Sequence, residues 1–284
     1  MTNSIELTNP SVADQTELVA ADAERRFGGI ARLYGDAGLA RLQAAHVCVI
    51  GVGGVGSWVV EALARSAVGE ITMIDMDVVA PSNVNRQLPA LEPNFGRDKT
   101  DVLAQRCREI NPECKINVAD DFITRDNLDE TLPHEVDFIV DGIDDFRTKA
   151  ALIHHCKRKR LKLVTTGGAG GQVDPSKIKR TDLSRTQHDV LLAKTRKLLR
   201  QDYGFPRNPK RSFGIPCIYS DEQLVYPDGE GGLSPSRPPS DATQGGQSNA
   251  LNCAGGLGSI THVTASFGFA AAAVVLNSLA HDDG

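Results

Sequence analysis

None of the six cysteines in this chain of 284 residues stands in a Cys-x-x-Cys pair. Cys48, Cys107, Cys114, Cys156, Cys217 and Cys253 are scattered, which argues against a four-thiolate zinc site and against a disulfide scaffold. A reducing cytoplasm is the expected setting. The start, Met1-Thr2-Asn3-Ser4-Ile5-Glu6, lacks both a basic segment and an apolar run, so no secretory signal is expected. Positive charge is not in excess either. The net charge of −5 speaks against a generally basic nucleic-acid binder, while allowing a local basic patch. From Ala254 to Ala280 charge of both signs is missing. About 20 apolar residues can span a bilayer, but His262, Thr264, Ser266 and Asn277 interrupt this run and no basic flank anchors it. Two readings stay open: a helix buried in the protein or in a dimer interface, and a membrane-associated helix.

What is present is a glycine loop. Val47-Cys48-Val49-Ile50 leads into Gly51-Val52-Gly53-Gly54-Val55-Gly56, and a second apolar run, Ile71-Thr72-Met73-Ile74, ends in Asp75. Gly51 permits a tight strand-to-helix turn, Gly53 lets backbone approach a phosphate, and Gly56 lets the next helix pack on the strand. Asp75 can accept hydrogen bonds from ribose hydroxyls. Strand, loop, helix, strand and acid in this order predict a nucleotide site, without separating a dinucleotide from ATP.

The following stretch favours ATP. It carries Asp75-Met76-Asp77, then Asn83-Val84-Asn85-Arg86-Gln87, then Lys99. A dinucleotide's pyrophosphate is held largely by backbone amides. A triphosphate has more charge, so Arg86 and Lys99 are the candidate phosphate ligands, Arg through paired hydrogen bonds and Lys as a point charge. Asn83 and Asn85 are uncharged groups for ribose or phosphate. Phe138-Ile139-Val140 then leads into Asp141-Gly142-Ile143-Asp144-Asp145. Ligands of open α/β sheets sit at the carboxyl ends of strands, so Asp141 and Asp144 are candidates for hard oxygen ligands of Mg²⁺. The competing reading has Asp144 or Asp145 capping the next helix.

Together these residues resemble the ubiquitin-activating-like (ThiF/MoeB-type) adenylyltransferases, over residues 25–170. The resemblance implies a Rossmann-like α/β fold and adenylation of a carboxylate with ATP and Mg²⁺, releasing pyrophosphate. By it, Gly51, Gly53, Gly54, Gly56, Asp75, Asp77, Asn83, Asn85, Gln87 and Asp141 line the nucleotide, Arg86 and Lys99 act on the phosphates, and Asp144 supports the metal and the reacting phosphate. Arg26-Phe27-Gly28-Gly29-Ile30-Ala31-Arg32-Leu33-Tyr34-Gly35, Thr165-Thr166-Gly167-Gly168-Ala169-Gly170-Gly171-Gln172, Asp174-Pro175 and Phe267-Gly268-Phe269 are similar to the branch that dehydrates threonylcarbamoyladenosine in tRNA. That branch cyclises the threonylcarbamoyl group on the adenosine 3′ of the anticodon. The runner-up is activation of the C-terminal glycine of a ubiquitin-like sulfur carrier, with a non-enzymatic nucleotide-binding adaptor and an NAD-dependent dehydrogenase further behind. Sulfur-carrier activators commonly place an arginine across a dimer where Gly29 stands here, with Arg26 and Arg32 as nearby substitutes, and many carry paired Cys-x-x-Cys motifs that this chain lacks. A homodimer and a sulfur-relay partner are in keeping with the resemblance.

Along the chain, residues 1–24 read as an acidic arm and 25–176 as the ATP-binding domain. Strands are expected near 47–50, 71–75, 115–119, 137–141 and 162–166, with helices near 57–67, 98–109 and 145–159. That alternation predicts a largely parallel sheet covered on both faces. Residues 177–227 form a basic segment in which 177–211 hold eleven Lys or Arg against Asp182, Asp189 and Asp202. Leu191, Leu192, Leu198 and Leu199 predict a helix there with one buried stripe and a basic outer face. Arg196, Lys197 and Arg200 are the candidate tRNA ligands. Residues 228–250 read as a flexible linker and 251–284 as the C-terminal apolar helix. Cys253, beside small residues, is read as structural rather than as a relay thiol.

Overall fold

The computed structural model describes residues 12–119, 121–236 and 257–281. Its core is a seven-stranded sheet. The first five strands are β1 (His46–Ile50), β2 (Glu70–Ile74), β3 (Lys115–Ala119), β4 (Phe138–Asp141) and β5 (Leu163–Thr166). They alternate with α2 (Gly56–Arg65), α3 (Lys99–Ile110), the short α4 (Leu128–Thr131) and α5 (Phe146–Lys159), after an N-terminal α1 (Val12–Ala44) that breaks at Gly35. These five strands run parallel in the order β3-β2-β1-β4-β5. Val47, Val49, Ile139 and Val140 are wholly buried, because helices cover both sheet faces and leave no side for polar alternation.

The sheet continues where a separate basic segment was expected. Strand β6 (Ile178–Asp182) and strand β7 (Pro216–Ser220) flank α6 (Val190–Asp202). Strand β7 pairs parallel to β5, and β6 closes the edge antiparallel to β7. Residue 176 is therefore no boundary in the sheet. A two-residue pairing of β8 (Tyr226–Pro227) with β9 (Leu233–Ser234) follows.

The apolar C-terminal run forms α7 (Thr261–Ala280), long and apolar enough by itself to cross a membrane. Here it packs against α2 and α1, burying Val263, Phe267, Ala271 and Val275 in the same core as Val49 and Val140. Gly268 meets α2 so closely that a Cβ there would lie 2.7 Å from the Val55 carbonyl oxygen. The buried-helix reading is the one the structure supports. Helices α5 and α6 fill the opposite face around Leu152, Ile153, Leu192 and Leu199.

Candidate functional site

A cleft of about 450 Å³ opens at the carboxyl ends of the parallel strands. Its back wall is the glycine loop. Gly51 takes a left-handed φ of 79° and donates its N–H to the Ile74 carbonyl at 2.9 Å. Gly56 sits so tightly that a Cβ would come within 1.9 Å of the Gly51 oxygen. Only a residue without a side chain allows α2 to start this close to β1. No side chain caps α2 at Val55; the Ser57 and Trp58 amides turn back to the Gly53 and Val55 carbonyls, so it is the glycine loop, at the positive end of the helix dipole, that offers the arrangement that binds phosphate. Gly51, Gly53 and Gly54 line the cleft; Gly56 lies behind it as a packing residue.

Asp75 ends β2 on the cleft wall. Its Oδ2 accepts the Val52 N–H at 2.8 Å and its Oδ1 the Asp77 N–H at 2.9 Å. Burial pushes its carboxyl above the ordinary range, against the pull of Lys99 and these amides. Lys99 opens α3, is buried, and donates to Asp77 Oδ2 at 2.8 Å. Arg86 donates to the Ser82 carbonyl at 2.7 Å and to Asn85 Oδ1 at 3.1 Å. Its own carbonyl accepts from Trp58 Nε1 and Thr264 Oγ1, both at 3.1 Å. Arg86 is therefore anchored through its backbone by α2 and α7, and its side chain lines the cleft beside Gly54. Asn83 and Gln87 also line it; Asn83 Oδ1 accepts the Ala80 N–H, and the buried Gln87 Oε1 has no partner.

Two expected ligands stand elsewhere. Asn85 does not line the cleft; its Nδ2 donates to the Ser259 carbonyl at 2.7 Å and pins the segment leading into α7. Asp141 is completely buried and does not line the cleft. Lys149, equally buried, pairs with its Oδ2 at 2.8 Å, and Thr165 Oγ1 donates to the same oxygen at 2.6 Å. A carboxylate engaged in this way is not available to a metal. Asp145 is the cap of α5, accepting the Arg147 and Thr148 amides. That leaves Asp144 exposed at the cleft mouth with its carboxylate uncommitted among the described residues. One free carboxylate beside a phosphate cradle fits Mg²⁺, which is held by one or two carboxylates and the nucleotide's own oxygens.

The remaining walls come from residues not singled out in sequence as ligands: Phe122 and Ile123 beyond β3, Thr148 on α5, Leu191 on α6, and Ser259 with Thr264 at α7. Gly167, Gly168, Ala169 and Gly170 follow β5 and close the far side. The strand-end rule points to this loop, because β5 neighbours β4. Ser259 and Thr264 carry no such signal, arriving from more than 170 positions away through contacts with Asn85 and Arg86.

Arg196, Lys197 and Arg200 lie outside the cleft. Arg196 and Arg200, half-buried, line a separate concavity, and Lys197 is exposed away from it. Arg26 is held by Asp22 and the Ile110 carbonyl, and neither it nor Arg32 lines the cleft. The five described cysteines are buried. Burial holds the Cys107, Cys114 and Cys156 thiols up at about 12, so none of these is a thiolate for sulfur transfer. Cys253 lies outside the described residues. No group of three potential metal ligands occurs among the described side chains, and His154 stacks on Tyr203 at 4.7 Å.

The ThiF family model matches residues 28–281. A tRNA threonylcarbamoyladenosine dehydratase of Haemophilus influenzae is 50% identical over 90% of this chain and 94% of its own. The Escherichia coli enzyme of the same name is 48% identical over 92% of this chain and 96% of its own. A crystal structure of that E. coli enzyme, TcdA, in complex with ATP superposes with a TM-score of 0.80 at 44% identity, covering 92% of this chain and 96% of that one. The mostly parallel α/β sheet agrees with the match, and the chain belongs to the ThiF family.

Proposed function

We propose that this chain is an ATP-dependent tRNA threonylcarbamoyladenosine dehydratase, activating the threonylcarbamoyl carboxylate of a modified tRNA as an acyl adenylate and letting it cyclise with loss of water. The observation that carries the proposal is one cleft holding an uncapped helix terminus, the cations Arg86 and Lys99, and the free carboxylate of Asp144. It is supported by relatives of that name aligned over nearly their whole length.

The chemistry explains the need for these groups. A carboxylate is a poor electrophile because oxide would have to leave. Transfer of AMP turns it into a mixed anhydride with a good leaving group. A neighbouring nitrogen or oxygen of the same substrate then attacks the carbonyl, with ring closure favoured by proximity. The glycine loop holds the phosphates through its amides, and Asp75 orients the ribose. Arg86 and Lys99 stabilise charge developing toward the departing pyrophosphate, in a dry site where each contact counts for more than in water. Lys99 exchanges its Asp77 partner for phosphate oxygens when nucleotide binds. Asp144 would hold Mg²⁺, which supplies Lewis-acid stabilisation of phosphate oxygens when bound. Cleft walls built from Gly167, Gly168 and Leu191 limit water around the activated carbonyl. No side chain is needed as a covalent nucleophile.

A tRNA substrate brings a cytoplasmic setting with it. We include a homodimer in the proposal, on the support of Leu33 and Phe269, which leave large apolar side chains 73% and 48% exposed on α1 and α7. Sedimentation of the purified chain tests that part. The catalytic part is tested by exchange of labelled pyrophosphate into ATP. Exchange should depend on Mg²⁺ and on tRNA carrying the threonylcarbamoyl group, and unmodified tRNA, which lacks the carboxylate, should support none.

A further inference from the structure

A second, shallow and wide-open concavity lies outside the adenylation cleft and is lined by Ser184, Arg185, Thr186, Arg196, Arg200 and Lys210, among others. Four of these are cations and no acid lines the hollow. None of the four makes an ion pair with a described carboxylate. Elsewhere the chain is acidic, and some of its lysines and arginines find carboxylate partners: Lys99 with Asp77, Arg106 with Glu61, Lys179 with Asp221.

The hollow is also preorganised. Arg196 donates to Thr186 Oγ1. Arg200 donates to the Pro206 carbonyl at 3.3 Å, with its guanidinium 5.1 Å from the centre of the Phe213 ring. Burial, and then the neighbouring Arg200, hold the Arg196 guanidinium below its usual range. The buried Asp189 offsets part of this repulsion without forming an ion pair with Arg196, and an anion seated between the two arginines would offset more.

Placement identifies the anion. Helix α6 runs from Leu191 in the wall of the cleft to Arg200 in the hollow, nine residues or roughly 14 Å along the axis. A strand whose modified nucleoside enters the cleft passes the hollow within a few nucleotides. We infer that this concavity seats backbone phosphate of the tRNA substrate, an inference that rests on the proposed function above. Phosphate contacts fix register and carry no sequence information, which suits an enzyme whose chemical selectivity lies in the cleft.

The test uses the full-length protein with the exposed pair Arg185→Glu and Lys210→Glu combined, and separately Arg200→Glu. Dissociation constants for tRNA, with and without the modification, are measured across a salt series together with ATP affinity. Both variants should weaken tRNA binding by about tenfold or more at low salt and flatten the salt slope by about one or two. The loss should be equal for modified and unmodified tRNA, and ATP affinity should hold. Lys197→Glu, on the same helix but outside the hollow, should weaken binding far less. Unchanged tRNA affinity and slope in the Arg185 and Lys210 variant, with wild-type enzyme still cyclising modified tRNA, overturns the concavity and spares the proposed function. Wild-type enzyme that neither binds nor cyclises the tRNA overturns both.

Discussion

Lys99 Nζ lies 2.8 Å from Asp77 Oδ2, joining a buried cation to an exposed acid at the edge of the nucleotide cleft. The lysine stem is fixed by packing at the start of α3, whereas Asp77 is free to move into water. The positive charge is thus preorganised and its partner exchangeable. Lys99→Ala should lower turnover by about 10²-fold, the loss expected for one preorganised charge contact. It should also shrink the rise in Tm that ATP produces by linkage. Thermal shift with ATP and with NAD checks both halves: ATP raises Tm in the wild type and NAD does not.

Asp141 and Asp144, three residues apart, should respond oppositely to the same change. Asp141→Asn leaves Lys149 buried without its counter-charge, and removal of one member of such a pair costs about 3–5 kcal/mol. Its Tm should collapse whether or not ATP is present. Asp144→Asn should keep Tm within about 2 °C of the wild type while turnover falls and its Mg²⁺ requirement rises. Denaturation curves beside Mg²⁺ titrations of activity separate the two.

That contrast shows what the residues told in advance and what they did not. The glycine loop, Asp75 and the alternation of strands and helices are local patterns, and the parallel sheet follows from them. The choice between two aspartates in Asp141-Gly142-Ile143-Asp144 depends on Lys149, one turn into α5, and on Thr165 in the neighbouring strand. Asn85 resembled a nucleotide ligand because its partner, Ser259, is 174 positions away. The basic segment hid β6 because charge on Lys179 and Arg180 masks an edge strand, whose outward residues are solvated.

Glu61 ties α2 to α3, accepting from Arg106 at 2.6 and 2.8 Å and from Arg65 at 2.7 Å. Burial alone would raise its carboxyl, but these hydrogen bonds outweigh it and hold it below the ordinary range. A depressed acid contributes stability that is present above its unfolded pKa and lost as pH falls through the folded one. Glu61→Gln should therefore cost about 1 kcal/mol at neutral pH, reduced from a buried value because both arginines are partly exposed. The gap should close in acid. Urea denaturation of both proteins between pH 7 and pH 3 measures it.

Gly56→Ala should be among the most damaging single methyl additions in the chain. Its Cβ would meet the Gly51 carbonyl, a backbone atom that cannot move without opening the phosphate loop. A loss of about 3 kcal/mol or more, with ATP binding abolished, is expected. Adding a methyl at Gly258, where a Cβ meets nothing, should leave both nearly untouched. Calorimetry of ATP binding on the two variants provides the comparison.

The central claim is that the activated carboxylate sits on tRNA. Its most direct measurement is mass analysis of nucleosides after the chain is incubated with ATP, Mg²⁺ and threonylcarbamoyl-modified tRNA. The account predicts that the modified nucleoside loses the mass of one water, in step with pyrophosphate release, and that Lys99→Ala suppresses both. An unchanged nucleoside mass, with pyrophosphate released instead on addition of a ubiquitin-like carrier ending in Gly-Gly, would contradict it.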